Sequence, residues 1–131
     1  MVYIMGEINQ VSGNVHNKKI GKAGEDIAER YLKKNGYSVR EKNFRSHFGE
    51  IDIVAEEAGT IVFVEVKTRT SDAYGDGTES ITISKIRTIT RTAQLYLSAY
   101  KCTNRDCRFD VIAIQLVRGE VSELSHIKNA F

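Results

Sequence analysis

Two short apolar segments with charged residues set into them constrain the fold of this chain most strongly. Residues 50–55 read EIDIVA, and residues 61–67 read IVFVEVK. Both have the β-branched and aromatic content of buried strands, and the turn-forming residues between them predict a β-hairpin. A charged side chain is rarely buried without a partner, because its desolvation costs several kcal/mol. Asp52, Glu65 and Lys67 therefore either pair with each other or hold a ligand.

Strand geometry decides whether these three charges can meet. Because side chains alternate between the two faces of a strand, Glu65 and Lys67 point the same way, about 6 to 7 Å apart along it. Asp52 joins them only if the hairpin pairs residues whose numbers sum to an odd value, since a one-residue slip would turn Asp52 to the other face. That register places Asp52 opposite Glu65 and requires a four-residue connection or a bulge.

Neighbouring carboxylates call for a cation. Two of them side by side repel each other and are driven towards protonation unless a cation intervenes. Mg²⁺ suits the position because it takes oxygen ligands and commonly uses one or two protein carboxylates together with phosphate and water. Lys67 beside the pair could orient or help to deprotonate an attacking water. The alternative is an ordinary salt bridge between Lys67 and one carboxylate at a half-exposed edge.

The rest of the chain predicts two helices and two further strands. Apolar residues recur at helical spacing over residues 20–35, and a second helix capped by Ser84 carries one apolar stripe. That stripe consists of Ile86, Ile89, Ala93, Tyr96, Leu97 and Tyr100. Residues 37–44 and 108–116 read as strands, the polar stretch 70–80 as a loop, and the tail from Gly119 as weakly patterned. The order helix, strand, strand, strand, helix, strand implies an α/β fold, a mixed sheet flanked by helices.

Glu25 on the first helix is a candidate third acid. On a helical wheel it lies next to Ala28 and Leu32 of the apolar stripe, so it can reach the sheet where Glu29 would face water. A carboxylate converging from a helix on a metal site is typical of phosphoester hydrolysis. The alternative is an exposed first-turn glutamate stabilised by the helix dipole.

Length and composition predict one domain in a cytoplasmic protein. The chain has 131 residues, enough for one core, and we expect a flexible leader over residues 1–17 and the domain over residues 18–131. No apolar run approaches the ~18 residues needed to cross a membrane, and no secretory signal is evident. Cys102 and Cys107 lack the further ligands of a zinc site and read as reduced thiols. Residues 49–79 are acidic and both flanks are basic, which suits a site that gathers cations and binds a polyanion around its edges.

Taken together, these residues resemble the PD-(D/E)XK nuclease superfamily, with Glu25 as the helical acid, Asp52 as the motif aspartate and Glu65 to Lys67 as the E-x-K element. More narrowly, the chain resembles the YraN family of small bacterial proteins, described as predicted endonucleases distantly related to archaeal Holliday junction resolvases. The matching stretches are GKAGED (21–26), NFR (43–45), GEIDIVA (49–55), VFVEVKTR (62–69), Tyr74-Gly75, Lys85 and RFDVIA (108–113).

The resemblance implies a restriction-endonuclease-like fold with a catalytic set of Glu25, Asp52, Glu65 and Lys67. It implies that Asp52, Glu65 and Glu25 bind Mg²⁺ or Mn²⁺. The expected activity is hydrolysis of phosphodiester bonds in DNA, branched or junction DNA included. The alternative is a nucleic-acid-binding or scaffolding module that has kept the fold without catalysis.

Nucleic acid is the expected partner, with DNA favoured over RNA and no membrane association. Basic residues would grip phosphates without reading sequence. The candidates are Lys18, Lys19, Lys22, Arg45, Arg69, Lys85, Arg87 and Arg91. Symmetric cutting of a junction would favour a two-fold homodimer.

Overall fold

The structure, a computed structural model, describes residues 11–70 and 82–131, with side chains described from residue 18 onward. These ranges hold the following elements in chain order: α1 (Val11–Lys34), β1 (Ser38–Arg45), β2 (Glu50–Glu57), β3 (Thr60–Thr70), α2 (Ile83–Ala99), β4 (Cys107–Val117) and β5 (Glu120–Ile127). Neither described helix has the length and apolarity required to span a membrane.

The five strands form one mixed sheet in the order β1-β2-β3-β4-β5. β3 and β4 pair in parallel, and the connection between them contains α2. The other neighbours pair antiparallel. A parallel pair needs a long crossover, which a helix commonly supplies. The predicted α/β class and the mixed sheet are therefore confirmed.

The two helices cover opposite faces of the sheet. In β3, Val62, Val64 and Val66 join the apolar cluster that contains Ala28 and Leu32 of α1. The alternate residues of the same strand join a second cluster, with the α2 side chains. Its buried members are Ile51, Val54, Ile61, Phe63, Ile89, Ala93 and Tyr96. Because β3 is apolar on both faces, it can only be a central strand, as residues 61–67 predict.

The β2–β3 hairpin has the register that the charged residues require. Glu57 pairs with Thr60 and Glu56 with Ile61, so that paired numbers sum to an odd value. The two residues between the strands, Ala58 and Gly59, have φ values of 50° and 85°. Positive φ at both central positions is characteristic of a type I′ turn, whose twist matches that of a hairpin. The predicted odd-sum register is confirmed, but the connection has two residues and not the predicted four.

Both helices begin at different residues from those predicted. α1 extends back to Val11, whereas the apolar pattern placed its start near Ile20. Once a helix has nucleated on a packed stripe, adding residues costs little, so the helix outruns its apolar pattern into part of the segment predicted as a leader. Residues 1–10 lie outside the described residues, as does most of the predicted loop 70–80. In α2 the N-cap is Thr82, whose hydroxyl accepts from Lys85 N at 3.0 Å, and not Ser84.

The C-terminal tail forms a strand that the sequence did not predict. β5 pairs with β4, although most of its residues are exposed. An edge strand with little apolar alternation gives no periodic signal, so the weakly patterned tail after Gly119 does not predict this strand. Arg118 and Gly119, with φ values of 53° and 80°, form the connecting turn.

Candidate metal centre

Asp52 and Glu65 lie on the neighbouring strands β2 and β3. The last pair of the β2–β3 ladder is Ile53 with Val64, and Asp52 and Glu65 are the next residues beyond that pair on the two strands. The side chains are buried, with 3% of Asp52 and 2% of Glu65 exposed to solvent. Asp52 Oδ2 accepts a hydrogen bond from Val66 N at 2.8 Å. Two buried carboxyl groups therefore follow the last paired residues of β2 and β3 inside the protein.

Burial governs the acidity of Asp52. Loss of solvent raises the pKa of its carboxyl above the ordinary value, and the negative charge of Glu50 acts in the same direction. The hydrogen bond from Val66 N favours the ionised form and opposes this rise. A buried carboxyl whose charge is disfavoured gains more from a nearby cation than an exposed one does, because the low local dielectric strengthens the attraction.

Glu25 reaches the sheet from α1, as its place on the helical wheel predicts. Its Oε1 accepts a hydrogen bond from Asn43 Nδ2 of β1 at 3.0 Å. Burial raises the pKa of Glu25, the Asn43 hydrogen bond lowers it, and the charges of Asp52 and Glu50 raise it further. The third acid therefore lies within electrostatic range of Asp52.

Asn43 is a site residue to which the sequence assigned no role. The β1–β2 register pairs Lys42 with Ile53 and Phe44 with Ile51, which brings Asn43 opposite Asp52. Its φ of 55° is left-handed, a conformation that asparagine tolerates better than most residues. The signal for it is an asparagine inside a strand that otherwise alternates.

Lys67 and Glu65 lie two residues apart in β3 and share a face of the strand, as alternation requires. Lys67 is half-buried, at the end of the strand where Asp52 and Glu65 lie. On the opposite face, Thr68 touches α1 so closely that a Cβ on Gly24 would overlap its hydroxyl. Gly24 therefore lets the helix that carries Glu25 lie directly on β3.

The described side chains do not form a complete set of metal ligands. Across residues 11–70 and 82–131, no three His, Cys, Asp or Glu side chains are grouped so that they could hold a metal ion together. Asp52 and Glu65 are paired on the sheet, while Glu25 approaches from the α1 layer and is bonded to Asn43. The described site thus comprises Asp52 and Glu65 on neighbouring strands, with Glu25 within electrostatic range of Asp52.

The predicted phosphate-binding residues occupy both helix layers. Lys18, Lys19 and Lys22 lie exposed on α1, and Arg87 and Arg91 lie exposed on α2. Arg45, Arg69 and Lys85 complete the set: Arg45 is exposed, whereas Arg69 and Lys85 are half-buried. Lys22 pairs with Asp26 at 3.8 Å and Arg45 with Glu50 at 3.0 Å, so these cations have acidic neighbours.

Comparison with known proteins identifies a protein family and relatives that align with most of this chain. The model of the uncharacterised protein family UPF0102 matches residues 24–114. A UPF0102 protein of Persephonella marina is 50% identical over 111 residues, covering 85% of this chain and 91% of the relative. Relatives from Caldicellulosiruptor saccharolyticus and Geobacter metallireducens are 43% and 45% identical over 118 residues each. These two alignments cover 89% and 90% of this chain, and 100% and 96% of the respective relatives.

Proposed function

This chain belongs to the uncharacterised protein family UPF0102, and from that premise and its buried carboxylate pair we propose that it is a metal-dependent nuclease acting on DNA. The proposed reaction is hydrolysis of phosphodiester bonds, with branched DNA among the substrates. The proposed cofactor is Mg²⁺, which Mn²⁺ can replace.

The observation that carries this proposal is the burial of Asp52 beside Glu65 in the centre of the sheet. Two adjacent buried carboxylates repel each other and lose their hydration, and both effects oppose folding. Apolar side chains at the same two positions would serve stability better. A divalent cation bound by both carboxylates would offset these effects.

The donor set fits a hard divalent ion. Mg²⁺ prefers oxygen ligands and often uses only one or two protein carboxylates, with water and substrate phosphate completing its shell. Asp52 and Glu65 would hold the ion, with Glu25 as the third acid beside it. When bound, the ion would supply Lewis-acid polarisation of the phosphate and charge neutralisation.

Lys67 and Glu25 have separate tasks in this proposal. Lys67 follows Glu65 on the same strand face, so its ammonium is placed to neutralise a phosphate oxygen and to orient the attacking water. Glu25 has a raised pKa and is held by Asn43, which suits it to position that water or accept its proton. Exposed cations such as Arg87 and Arg91 would hold the phosphate backbone without reading sequence.

The test is cleavage of labelled single-stranded, duplex, flap and four-way-junction DNA in Mg²⁺ or Mn²⁺. We expect wild-type cleavage, with at least 100-fold loss in Asp52→Ala and Lys67→Ala. A matched control is Lys101→Ala, because Lys101 is an exposed lysine at the far end of α2. Cleavage that survives both substitutions would contradict the proposed site. An RNA panel of the same shapes tests the preference for DNA.

The alternative function is a nucleic-acid-binding or scaffolding module without catalysis. The observation that favours it is that the described side chains form a pair of carboxylates and not a three-ligand group. Such a module would bind the same DNA panel equally well with and without divalent ions and would leave it intact. Loss of binding between low and moderate salt is expected under both functions.

A further inference from the structure

The turn between β1 and β2 presents two aromatic rings to solvent, and the metal-centre proposal makes no use of them. His47 and Phe48 stand at the tip of this turn, with ring centroids 4.1 Å apart and ring planes inclined by 38°. Phe48 is 36% exposed, and His47 is exposed as well. Exposed aromatic surface is costly to hydrate and is characteristic of surfaces that bind a partner.

The turn is fixed in place by polar and steric contacts. Ser46 N donates to Gly49 O at 2.8 Å, and Phe48 N donates to Ser46 Oγ at 3.0 Å. Ser46 Oγ also lies 3.1 Å from Thr92 Oγ1 of α2. A Cβ on Gly49 would overlap the Thr88 methyl group, so the backbone lies directly against α2. These contacts fix the backbone of the turn, so the positions of His47 and Phe48 are set before any ligand binds.

An arginine side chain of α2 lies over the exposed ring. The Arg91 guanidinium carbon is 5.4 Å from the centroid of the Phe48 ring, within the range of a cation–π contact. Arg87 is exposed one helical turn earlier on α2, on the same face of the helix as Arg91. Aromatic rings interleaved with arginine form the usual combination for holding bases and phosphates of a single strand.

The turn leads directly into the strand that carries the candidate metal centre. Phe48 precedes Asp52 by four residues, a span of about 13 Å for extended chain. A nucleic acid whose phosphate lay at Asp52 could therefore place a nearby base at Phe48.

We propose that Phe48, supported by His47 and Arg91, is a platform on which an unpaired nucleobase stacks. The inference rests on the proposed function, which makes nucleic acid the ligand. In a blunt duplex every base is already stacked on its neighbours, so an exposed ring gains little. A base at a flap, a fork or a single-stranded segment can stack on Phe48. The preferred ligand is therefore nucleic acid with single-stranded character.

A tryptophan reporter tests this contact without catalysis. The chain contains no Trp, so Phe48→Trp introduces a unique fluorophore at the platform. In EDTA, titration with oligo(dT) should quench its emission by stacking, while a blunt duplex of equal length should not. Tyr100→Trp is the matched control, because Tyr100 is an exposed aromatic residue at the other end of α2. Equal quenching by the two ligands, equal quenching at the two positions, or absence of quenching would overturn the proposal.

Affinity provides a second measurement. Phe48→Ala should weaken binding of oligo(dT) at least 5-fold in EDTA, as expected for one lost stacking contact. Phe48→Leu should bind oligo(dT) nearly as weakly as Phe48→Ala, because leucine has apolar volume but no aromatic ring. Phe48→Tyr keeps the ring and should bind with wild-type affinity. Unchanged affinity in Phe48→Ala would contradict the platform even if the protein cuts DNA. Quenching without cleavage would instead support the platform and contradict the nuclease.

Discussion

The Asp52 carboxylate accepts a hydrogen bond from the Val66 backbone N–H across 2.8 Å, with Asp52 one residue beyond the last paired residue of β2 and Val66 two residues beyond that of β3. The side chain thus occupies a position that a backbone carbonyl would take in a continued ladder. The Asp52 side chain thus links the two strands by a hydrogen bond. It also places a carboxyl group on the strand next to the one that carries Glu65. Asp52 therefore stabilises the fold through its hydrogen bond and destabilises it through its buried charge. Substitutions that remove only the charge, or both the charge and the hydrogen bond, distinguish the two effects.

Asp52→Asn should stabilise the protein at neutral pH, whereas Asp52→Ala should not. Asparagine keeps an acceptor for Val66 N and removes a buried charge, while alanine leaves that amide without its acceptor. A gain of about 1 kcal/mol would raise Tm by roughly 4 °C. Because burial raises the pKa of Asp52, ionisation lowers wild-type stability as pH rises through the interval above the ordinary aspartate value. The gain in Asp52→Asn should therefore grow from pH 4 to pH 7 in thermal unfolding. A lower Tm for Asp52→Asn than for wild type at pH 7 would contradict this account.

Divalent ions should stabilise the wild-type protein through the same carboxylates. A ligand that binds only the folded state at 100 times its Kd adds about 2.7 kcal/mol. We expect Mg²⁺ or Mn²⁺ to raise the wild-type Tm and to leave that of Asp52→Asn unchanged. Glu120→Gln in β5 serves as the control, because it removes an exposed carboxylate on an edge strand, away from the central strands that carry Asp52 and Glu65. An equal ion effect in all three proteins would indicate non-specific binding.

Alternation and turn chemistry predicted the central part of this fold. Strand β3 carries valines towards α1 and Ile61 and Phe63 towards α2, so its apolar run could be assigned to the sheet interior. The odd register followed from requiring Asp52 to meet Glu65, and the Ala58–Gly59 turn provides it. These features are local, and each has a physical signature in the sequence.

Other features depend on contacts between distant segments and had no such signature. β5 is held at the edge by pairing with β4 and not by its own apolar pattern. Tyr100, placed on the apolar stripe of α2, is 48% exposed and donates its hydroxyl proton to Glu41. The role of Asn43 depends on α1 packing over β1, which brings Glu25 to it. Periodicity identifies a face, but only tertiary packing selects the partner of a polar group on it.

Gly24→Ala should destabilise the protein although alanine is the better helix former. The added Cβ would overlap the Thr68 hydroxyl, so α1 would have to move off β3. We expect the free energy of unfolding to fall by about 1 to 3 kcal/mol, the usual cost of overpacking. Thr68→Ala removes the overlapping oxygen, and the double variant should recover part of the loss in urea unfolding. Strictly additive effects of the two substitutions would show that they do not meet.

Asn43 is expected to be a positioning residue for Glu25. Asn43→Gly keeps the left-handed backbone and removes the amide that donates to Glu25, so its effect isolates the hydrogen bond. Because that bond lowers the pKa of Glu25, its loss should move the acidic limb of the cleavage pH profile upward. We expect roughly 10-fold lower kcat with unchanged DNA affinity. An unchanged pH profile would indicate that Asn43 serves only the left-handed backbone position in β1.

A buried ion network joins the end of β5 to β4 and α1. Asp110, with 0% of its surface exposed, accepts from Arg108 Nε at 2.9 Å and from Asn129 N at 3.1 Å. His126 Nε2 lies 2.7 Å from the same carboxylate, and His126 Nδ1 lies 3.0 Å from the Tyr31 hydroxyl. Burial alone would raise the pKa of Asp110, but its hydrogen bonds with His126 and Arg108 hold that pKa below the ordinary value.

The depressed pKa makes Asp110 a source of acid sensitivity. Its stabilisation is complete above the unfolded aspartate pKa near 4 and is lost as pH falls through the lower folded value. Asp110→Asn removes the charge and leaves Arg108 without its buried partner, which should cost about 3 kcal/mol at pH 7. The difference from wild type should shrink below pH 4, because the wild-type carboxylate is then protonated too. Asp106→Asn, at an exposed position just before β4, should leave the unfolding curve unchanged at both pH values. A loss in Asp110→Asn that stayed constant down to pH 2 would show that shape, and not charge, is what this position contributes.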